Sequence, residues 1–553
     1  MPAFLLVSGF RYRSGSMSVD AILKAALRPA VFGVAVAIVV VACSSAMADE
    51  GSAANQAQTG PPGDPHQSVT RENVDTALAG IPELVENMRR ATGVPGMAIA
   101  VVFEDEVVYS AGFGVCKLGS DDPVGPDTVF QIASLSKALS ATAVAAIVGD
   151  GTIAWEDPVV DHLPDFRLSD AYVTEHVTYA DLFSHRSGLP AHAGDLLEDL
   201  GFDRREVLAR LAQQPLFPFR AQHDYTNFGL TAAAEAAAVA AGIPWEELIK
   251  FRLFNPAGME HSSARFEDYV AAENRATPHQ RDVDGNWIVT THQRDPDAQS
   301  PAGGICSTAN DLGQWLRLQL AGGVLSGEPI IDPAALLAMQ TPHSFKGPLS
   351  APSAHANLYG LGMGISVRDD GYTSWSHSGA FLLGTGTNFS MIPGQRLGVV
   401  TITNGQPVGL AEATADTVLD LIVHGKVSRD WLGGYMGLFA NLYQSETPTD
   451  WTELVNNPVA PASLGTYAGT YENDYYGPMM IDDSSGTLVM TLGPQAMTFN
   501  LTPYDGDTFL FTPPGENSVG PTGITFEVED GQSVSVSCEF YDMTGLGTWT
   551  RSR

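Results

Sequence analysis

Residues 138–148, Ala-Leu-Ser-Ala-Thr-Ala-Val-Ala-Ala-Ile-Val, form a run so apolar and alanine-rich that a folded chain must bury it, and it reads as a core helix. At its entrance stands Ser134-Leu135-Ser136-Lys137, preceded by the apolar Phe130, Ile132 and Ala133. On a helix, positions i and i+3 share a face, so Ser134 and Lys137 can touch. A serine hydroxyl is a poor nucleophile until its proton is removed. A lysine amine can remove it only if burial or neighbouring cations lower its pKa from about 10.4. The apolar setting supplies burial. Among the six lysines of the chain, only Lys137 has a serine three residues upstream, which makes Ser134 the candidate nucleophile and Lys137 its proton acceptor.

The chain around this point has 553 residues and 44% hydrophobic content, enough for two folded units. Its formal charge of −34, from 29 basic and 63 acidic residues, argues against nucleic acid as a partner, because phosphate binding needs clustered Lys and Arg. Residues 1–48 read as an export signal. Lys24 and Arg28 precede the apolar run Ala30–Ala42, which is too short to span a bilayer, and Ala46-Met47-Ala48 fits a small-residue cleavage site. Val40-Val41-Ala42-Cys43 also resembles a lipoprotein box, with Cys43 as an alternative lipidated first residue, and Met17 is an alternative start. The expected location is periplasmic or secreted, with no transmembrane span in the mature chain and a lipid anchor as the variant. Cys116, Cys306 and Cys538 lack ligand-like spacing and allow at most one disulfide.

Residues 49–73 read as a flexible tether rich in Gly, Pro and Gln. A first unit is expected over 74–440. It opens with helical periodicity from Val74 to Arg90 and a hairpin from Val94–Phe103 and Val107–Gly114. A mainly helical middle follows over 152–340. Strand signals then return at Tyr359–Ile365, Gly384–Met391 and Leu397–Thr403, and a helix at Leu410–Val423 closes the unit. Strands from both ends of such a unit predict one sheet flanked by helices, a mixed α/β (α+β) architecture. A polar, proline-containing linker over 441–464 leads to residues 465–553. Seven short segments between Gly, Asp and Pro turns there predict a small all-β barrel or sandwich.

Two more motifs stand in order after Ser134. In Tyr225-Thr226-Asn227 a phenol and a carboxamide lie two residues apart, so an extended backbone turns both into one cleft. A buried tyrosine beside a cationic lysine would have its phenolate favoured and could move a proton. In His377-Ser378-Gly379 the glycine allows substrate to approach a strand edge whose backbone N–H groups can serve as an oxyanion hole.

Together these motifs resemble those of the serine β-lactamase and penicillin-binding protein (DD-peptidase) superfamily, and within it the class C β-lactamase-like hydrolases, over residues 74 to about 425. Val94-Pro95-Gly96, His185-Arg186-Ser187-Gly188-Leu189-Pro190 and Pro301-Ala302-Gly303-Gly304 before Ser307-Thr308-Ala309-Asn310-Asp311-Leu312 are subsidiary matches. The resemblance implies a β-lactamase/DD-peptidase-like antiparallel sheet with flanking helices and an acyl-transfer cycle. Ser134 would attack a carbonyl, and Lys137 and Tyr225 would move its proton. The N–H groups of Ser134 and Ala380 would hold the oxyanion, Asn227 would orient the substrate, and water would release the acyl group. His377 stands where many members carry lysine. A mostly neutral imidazole is a weaker anchor for a substrate carboxylate, so an esterase or peptidase/amidase is expected ahead of a DD-carboxypeptidase or β-lactamase. The β-rich end resembles an appendage found behind such domains, marked by Tyr467-Ala468-Gly469-Thr470-Tyr471 and Tyr475-Tyr476-Gly477.

Rival classes fit less well. The 13 histidines form neither His-Glu-x-x-His nor His-x-His, so no metal is expected, and no Gly-x-Ser-x-Gly elbow is present. A non-catalytic binding protein would be expected to lose Ser134, Lys137 or Tyr225, and all three are present. The expected partner is a small-molecule or peptide substrate, with no cofactor and no stated oligomeric state.

Overall fold

The computed structural model describes residues 68–349, 351–444, 447–518 and 520–553. The expected export signal, Cys43 and nearly all of the tether lie outside the described residues. Helix α1 (Arg71–Leu78) begins three residues inside the stretch read as tether, because the Thr70 side chain and Asn73 form a reciprocal N-terminal cap. The single periodic stretch expected from Val74 to Arg90 is two helices. Gly80 interrupts it, and α2 (Ile81–Thr92) restarts there with a proline in its first turn.

The main sheet has eight antiparallel strands: β1 (Gly96–Phe103), β2 (Glu106–Gly114), β3 (Ser344–Phe345), β4 (Leu358–Tyr359), β5 (Gly364–Val367), β6 (Thr373–Phe381), β7 (Thr385–Ile392) and β8 (Leu397–Thr403). Their order is β2-β1-β8-β7-β6-β5-β4-β3, so the early hairpin joins the late strands with Ala98 opposite Ile402. Every residue of β1 and β8 is buried. Alternation along β1 divides its side chains between two cores. Ala98, Ala100 and Val102 face one, while Met97, Ile99, Val101 and Phe103 face the other, with α1, α2 and the late helix Leu410–His424. Each fully buried Val, Ile or Phe contributes about 1.5–3 kcal/mol relative to exposure.

Helix α3 (Ser136–Gly149) lies inside the larger core, with all residues from Ser136 to Ile147 buried. Alanine makes this feasible: it favours the helix and lets neighbouring backbones approach. The residues after 464 form a closed barrel of eight short antiparallel strands, β9–β16 (Gly469–Glu472, Met479–Asp482, Leu488–Leu492, Met497–Asp505, Thr508–Phe511, Thr522–Glu529, Gln532–Cys538 and Thr548–Arg551). Closure comes from β9 pairing with β16, Tyr471 opposite Arg551. The segment leading in is laced to the barrel. Gly523 packs against the Trp451 ring, the Tyr504 hydroxyl donates to Glu453 O at 3.0 Å, and Val459 N–H donates to Asp505 at 2.8 Å. One buried apolar cluster contains residues of both the first unit and the barrel. Cys116, Cys306 and Cys538 are buried free thiols. Among the described residues no single helix is long and apolar enough to cross a membrane.

Candidate active site

Ser134 sits in a tight turn, Ala133–Leu135, that runs directly into α3. Ala133 has φ of +48°, a left-handed conformation that costs a non-glycine residue about 1–3 kcal/mol and persists only where its surroundings impose it. The second serine of the motif supplies part of that constraint. Ser136 Oγ donates to Ala133 O at 2.6 Å and accepts from Ile305 N–H at 3.1 Å. Ser140 Oγ donates to Pro301 O at 2.6 Å, so residues 301–305 are fastened along α3.

Lys137, wholly buried, lies with Nζ 3.0 Å from Ser134 Oγ and donates to Ala302 O at 2.8 Å. Burial pushes its pKa down to about 7, against the opposing pull of Asp195 and Glu198. Its ammonium stands 4.6 Å from the centroid of the Tyr225 ring. The Tyr225 phenol also neighbours Ser134, whose hydroxyl favours its ionised form. Burial, reinforced by Asp195 and opposed by the Ser134 hydroxyl, drives the Tyr225 phenol above its ordinary range, the direction opposite to the favoured phenolate that the sequence suggests. Lysine rather than tyrosine is therefore the group poised to exchange a proton near neutrality.

Thr226 is extended and stands at the N-terminus of helix Asn227–Ala241 without a side-chain capping bond. Asn227 Nδ2 donates to Asp195 Oδ2 at 2.8 Å, and its buried Oδ1 has no partner. Behind Tyr225 lies His185, which holds Thr226 N–H at 3.2 Å and has its ring centroid 4.6 Å from that of Tyr225.

The opposite wall is β6. Strand β5 pairs with it only as far as Ser376, so beyond that point the β6 edge is open and runs beside the Ser134 turn. Gly379 is required there, because a Cβ would collide with Thr387 Oγ1 and Ile132 O and lie 3.1 Å from Ser134 N. Ala380 follows, half-buried and opposite Gly386 in β7. Ser378 projects away and accepts from Asn388 Nδ2 at 3.3 Å.

His377 Nδ1 is 2.7 Å from Ser378 O and must donate to it; Nε2, 2.8 Å from the Tyr359 hydroxyl, accepts. Burial, with Lys137 and Lys346 nearby, pushes its pKa down to about 3. His377 therefore faces the cleft as a neutral ring with both nitrogens engaged, not as an anion anchor. The remaining cation at this wall is Lys346, just beyond the edge strand β3, with Nζ 5.6 Å from the Tyr359 ring centroid. Tyr359, Lys346, Asp195 and the Ala302 carbonyl were not singled out from sequence. Only the Pro301-Ala302-Gly303-Gly304 motif hinted at the last. Among the described residues no group of His, Cys, Asp and Glu is arranged to hold a metal.

This arrangement of helix, lysine and open strand edge has known counterparts. A family model described as Beta-lactamase matches residues 81–423. The chain belongs to the β-lactamase family of serine hydrolases. A second model, a domain of unknown function (DUF3471), matches residues 454–547, which cover the barrel up to its last strand. The chain is 26% identical over 508 residues to the unguisins hydrolase ungD of Aspergillus violaceofuscus, covering 83% of this chain and 87% of that protein. It is 29% identical over 339 residues to penicillin-binding protein 4 of Amycolatopsis lactamdurans, covering 58% of this chain and 84% of that one. The octameric penicillin-binding protein homologue from Pyrococcus abyssi shares the fold, with a TM-score of 0.56 at 19% identity over 86% of this chain and 100% of that one.

Proposed function

We propose that this β-lactamase-family chain hydrolyses a small ester, or a peptide or amide of D-amino-acid type, through an acyl-enzyme on Ser134. The observation that carries the reading is Lys137: buried, 3.0 Å from Ser134 Oγ, and with a pKa near neutrality. In the neutral amine form it takes the proton as Ser134 Oγ bonds to the carbonyl carbon. The Tyr225 hydroxyl holds Ser134 Oγ in line, and the N–H groups of Ser134 and Ala380 receive the oxyanion. Collapse expels the alcohol or amine, which leaves with the proton from Lys137. Water then attacks the acyl carbon and gives its proton to Lys137, which returns it to Ser134 Oγ as the bond to the acyl carbon breaks, so that the acid leaves with the serine hydroxyl and neutral amine restored.

The neutral His377 supports ester and peptide substrates over those recognised through a carboxylate, since an uncharged ring adds no Coulomb attraction. Lys346 favours a second reading, in which a carboxylate-bearing substrate of a DD-carboxypeptidase or β-lactamase is met from the edge strand instead. Profiling the purified protein against p-nitrophenyl esters, D-amino-acid amides, D-Ala-D-Ala peptides and nitrocefin separates the two. Ester or amide turnover well above nitrocefin supports the first reading. Nitrocefin turnover equal to the best ester, lost in Lys346→Ala, supports the second. Export is part of the proposal. Fractionation should place the chain outside the cytoplasm, and labelling with a fatty-acid probe that depends on Cys43 would identify the lipid-anchored form.

A further inference from the structure

The barrel reaches the catalytic wall through one loop, Pro513–Asn517. Glu516, 7% exposed, accepts the N–H of Leu382 through Oε1 and the N–H of Leu383 through Oε2, the latter at 3.2 Å. These two residues form the turn directly after β6, where Gly384 N–H closes back on Phe381 O at 2.9 Å. Ala380 is two residues upstream. The same loop also holds the other wall. Asp199 at the end of helix α4 (Asp195–Asp199) accepts Glu516 N–H at 3.0 Å, Asn517 N–H at 3.1 Å and Asn517 Nδ2 at 2.8 Å. The first residue of α4, Asp195, is the carboxylate that holds Asn227. Gly515 has φ of +89°, and a Cβ there would collide with the Asp199 carboxylate, so this pose of the loop requires glycine.

Charge makes this contact more than adhesion. Arg294 lies 2.6 Å from Glu198 and 3.8 Å from Glu516, with its guanidinium 4.4 Å from the Phe381 ring centroid. One buried cation thus faces Glu198, Asp199 and Glu516. Such an acid-rich cluster is costly beside an apolar contact of equal area. What it gives in return is geometry, because Glu516 binds the pair of backbone N–H groups in the turn after β6, while Asp199 binds the pair that fixes the barrel loop carrying Glu516.

We infer that the C-terminal barrel completes the active site, with Glu516 as a positioning residue that fixes the end of β6 and hence the N–H of Ala380 relative to Ser134. This rests on the acyl-enzyme reading above. In the full chain, Glu516→Ala is expected to lower kcat for a p-nitrophenyl ester about tenfold, a fraction of the 10²–10³ lost when an oxyanion donor is removed outright. KM should change little, and affinity for phenylboronic acid, which forms a tetrahedral adduct on serine, should weaken by a similar factor. Glu516→Gln keeps one accepting oxygen and should recover most of the loss. Gly515→Ala, which pushes the loop off Asp199, should reproduce the Glu516→Ala kinetics and serves if that variant does not fold. Wild-type kcat and boronate affinity in the folded variant, or a Gln variant no better than Ala, overturns the inference. Failure of wild-type Ser134 to take a fluorophosphonate would instead sink the acyl-enzyme reading. Normal labelling with unchanged Glu516→Ala kinetics sinks only the role of the barrel.

Discussion

The cleft and the barrel differ in degree in how they treat buried polar groups, since the barrel also leaves Thr522 Oγ1 and Tyr541 Oη unpaired. Around Ser134 the protein leaves groups short of partners: His185 Nε2, Asp195 Oδ1 and Asn227 Oδ1 are buried and unpaired, and Lys137 is buried with no carboxylate in contact. In the barrel most buried tyrosines are satisfied. Tyr467 donates to Asp507 at 2.5 Å, Tyr471 to Tyr467 O at 2.6 Å and Tyr476 to Tyr541 O at 2.9 Å, with Tyr541 itself the exception. A buried group without a partner costs about 1–3 kcal/mol, so a protein keeps several together only where something else uses them. The contrast assigns chemistry to the cleft and support to the barrel.

The largest expected effect tests the cleft side. Lys137→Met keeps the volume and removes the amine, and should cut kcat/KM by about 10³ or more if Lys137 carries the proton. In the wild type the pH profile follows from its lowered pKa. The amine must be neutral to accept a proton, so kcat/KM should rise with pH through about 7 and level off above, and Lys137→Met should lose that limb. A profile flat from pH 5 to 9 would assign the proton elsewhere. Tyr225→Phe comes next, at about a hundredfold in kcat. A loss under threefold would make its hydroxyl a bystander.

On the barrel side, Phe526 is 3% exposed and packs against Tyr467, Tyr471 and Phe509. Phe526→Ala should destabilise by about 3–5 kcal/mol in denaturant unfolding while ester kcat at 25 °C stays near wild type. A kcat that falls with stability would erase the distinction between the two regions. The smallest effect concerns His377→Lys, which adds a charge at the cleft wall. It should shift the ratio of nitrocefin to ester turnover severalfold toward nitrocefin, and an unchanged ratio would leave Lys346 as the cation that matters.

What could be read from sequence was local. Ser134 and Lys137 are one helical turn apart, Tyr225 and Asn227 straddle one extended residue, and the strand at Gly96–Phe103 announces itself by an unbroken apolar run, with Leu397–Thr403 rich in β-branched residues. What could not be read depends on segments far apart in the chain. Glu516 meets Leu382 across 134 positions, and Tyr359 meets His377 only because β4 and β5 fold back beside β6. The last barrel strand, Thr548–Arg551, is four residues with a single buried tryptophan, and it exists because closure pairs it with β9 and β15. The depth at which Tyr225 is buried, which raises its phenol pKa, is likewise a property of the fold and not of the local sequence.

The central claim, that Ser134 is the residue acylated, is tested most directly by treating the full chain with a fluorophosphonate and mapping the adduct by peptide mass spectrometry. A single adduct on the peptide containing Ser134, absent in Ser134→Ala, is the predicted result. An adduct on another residue, or one that persists in Ser134→Ala, would contradict the account.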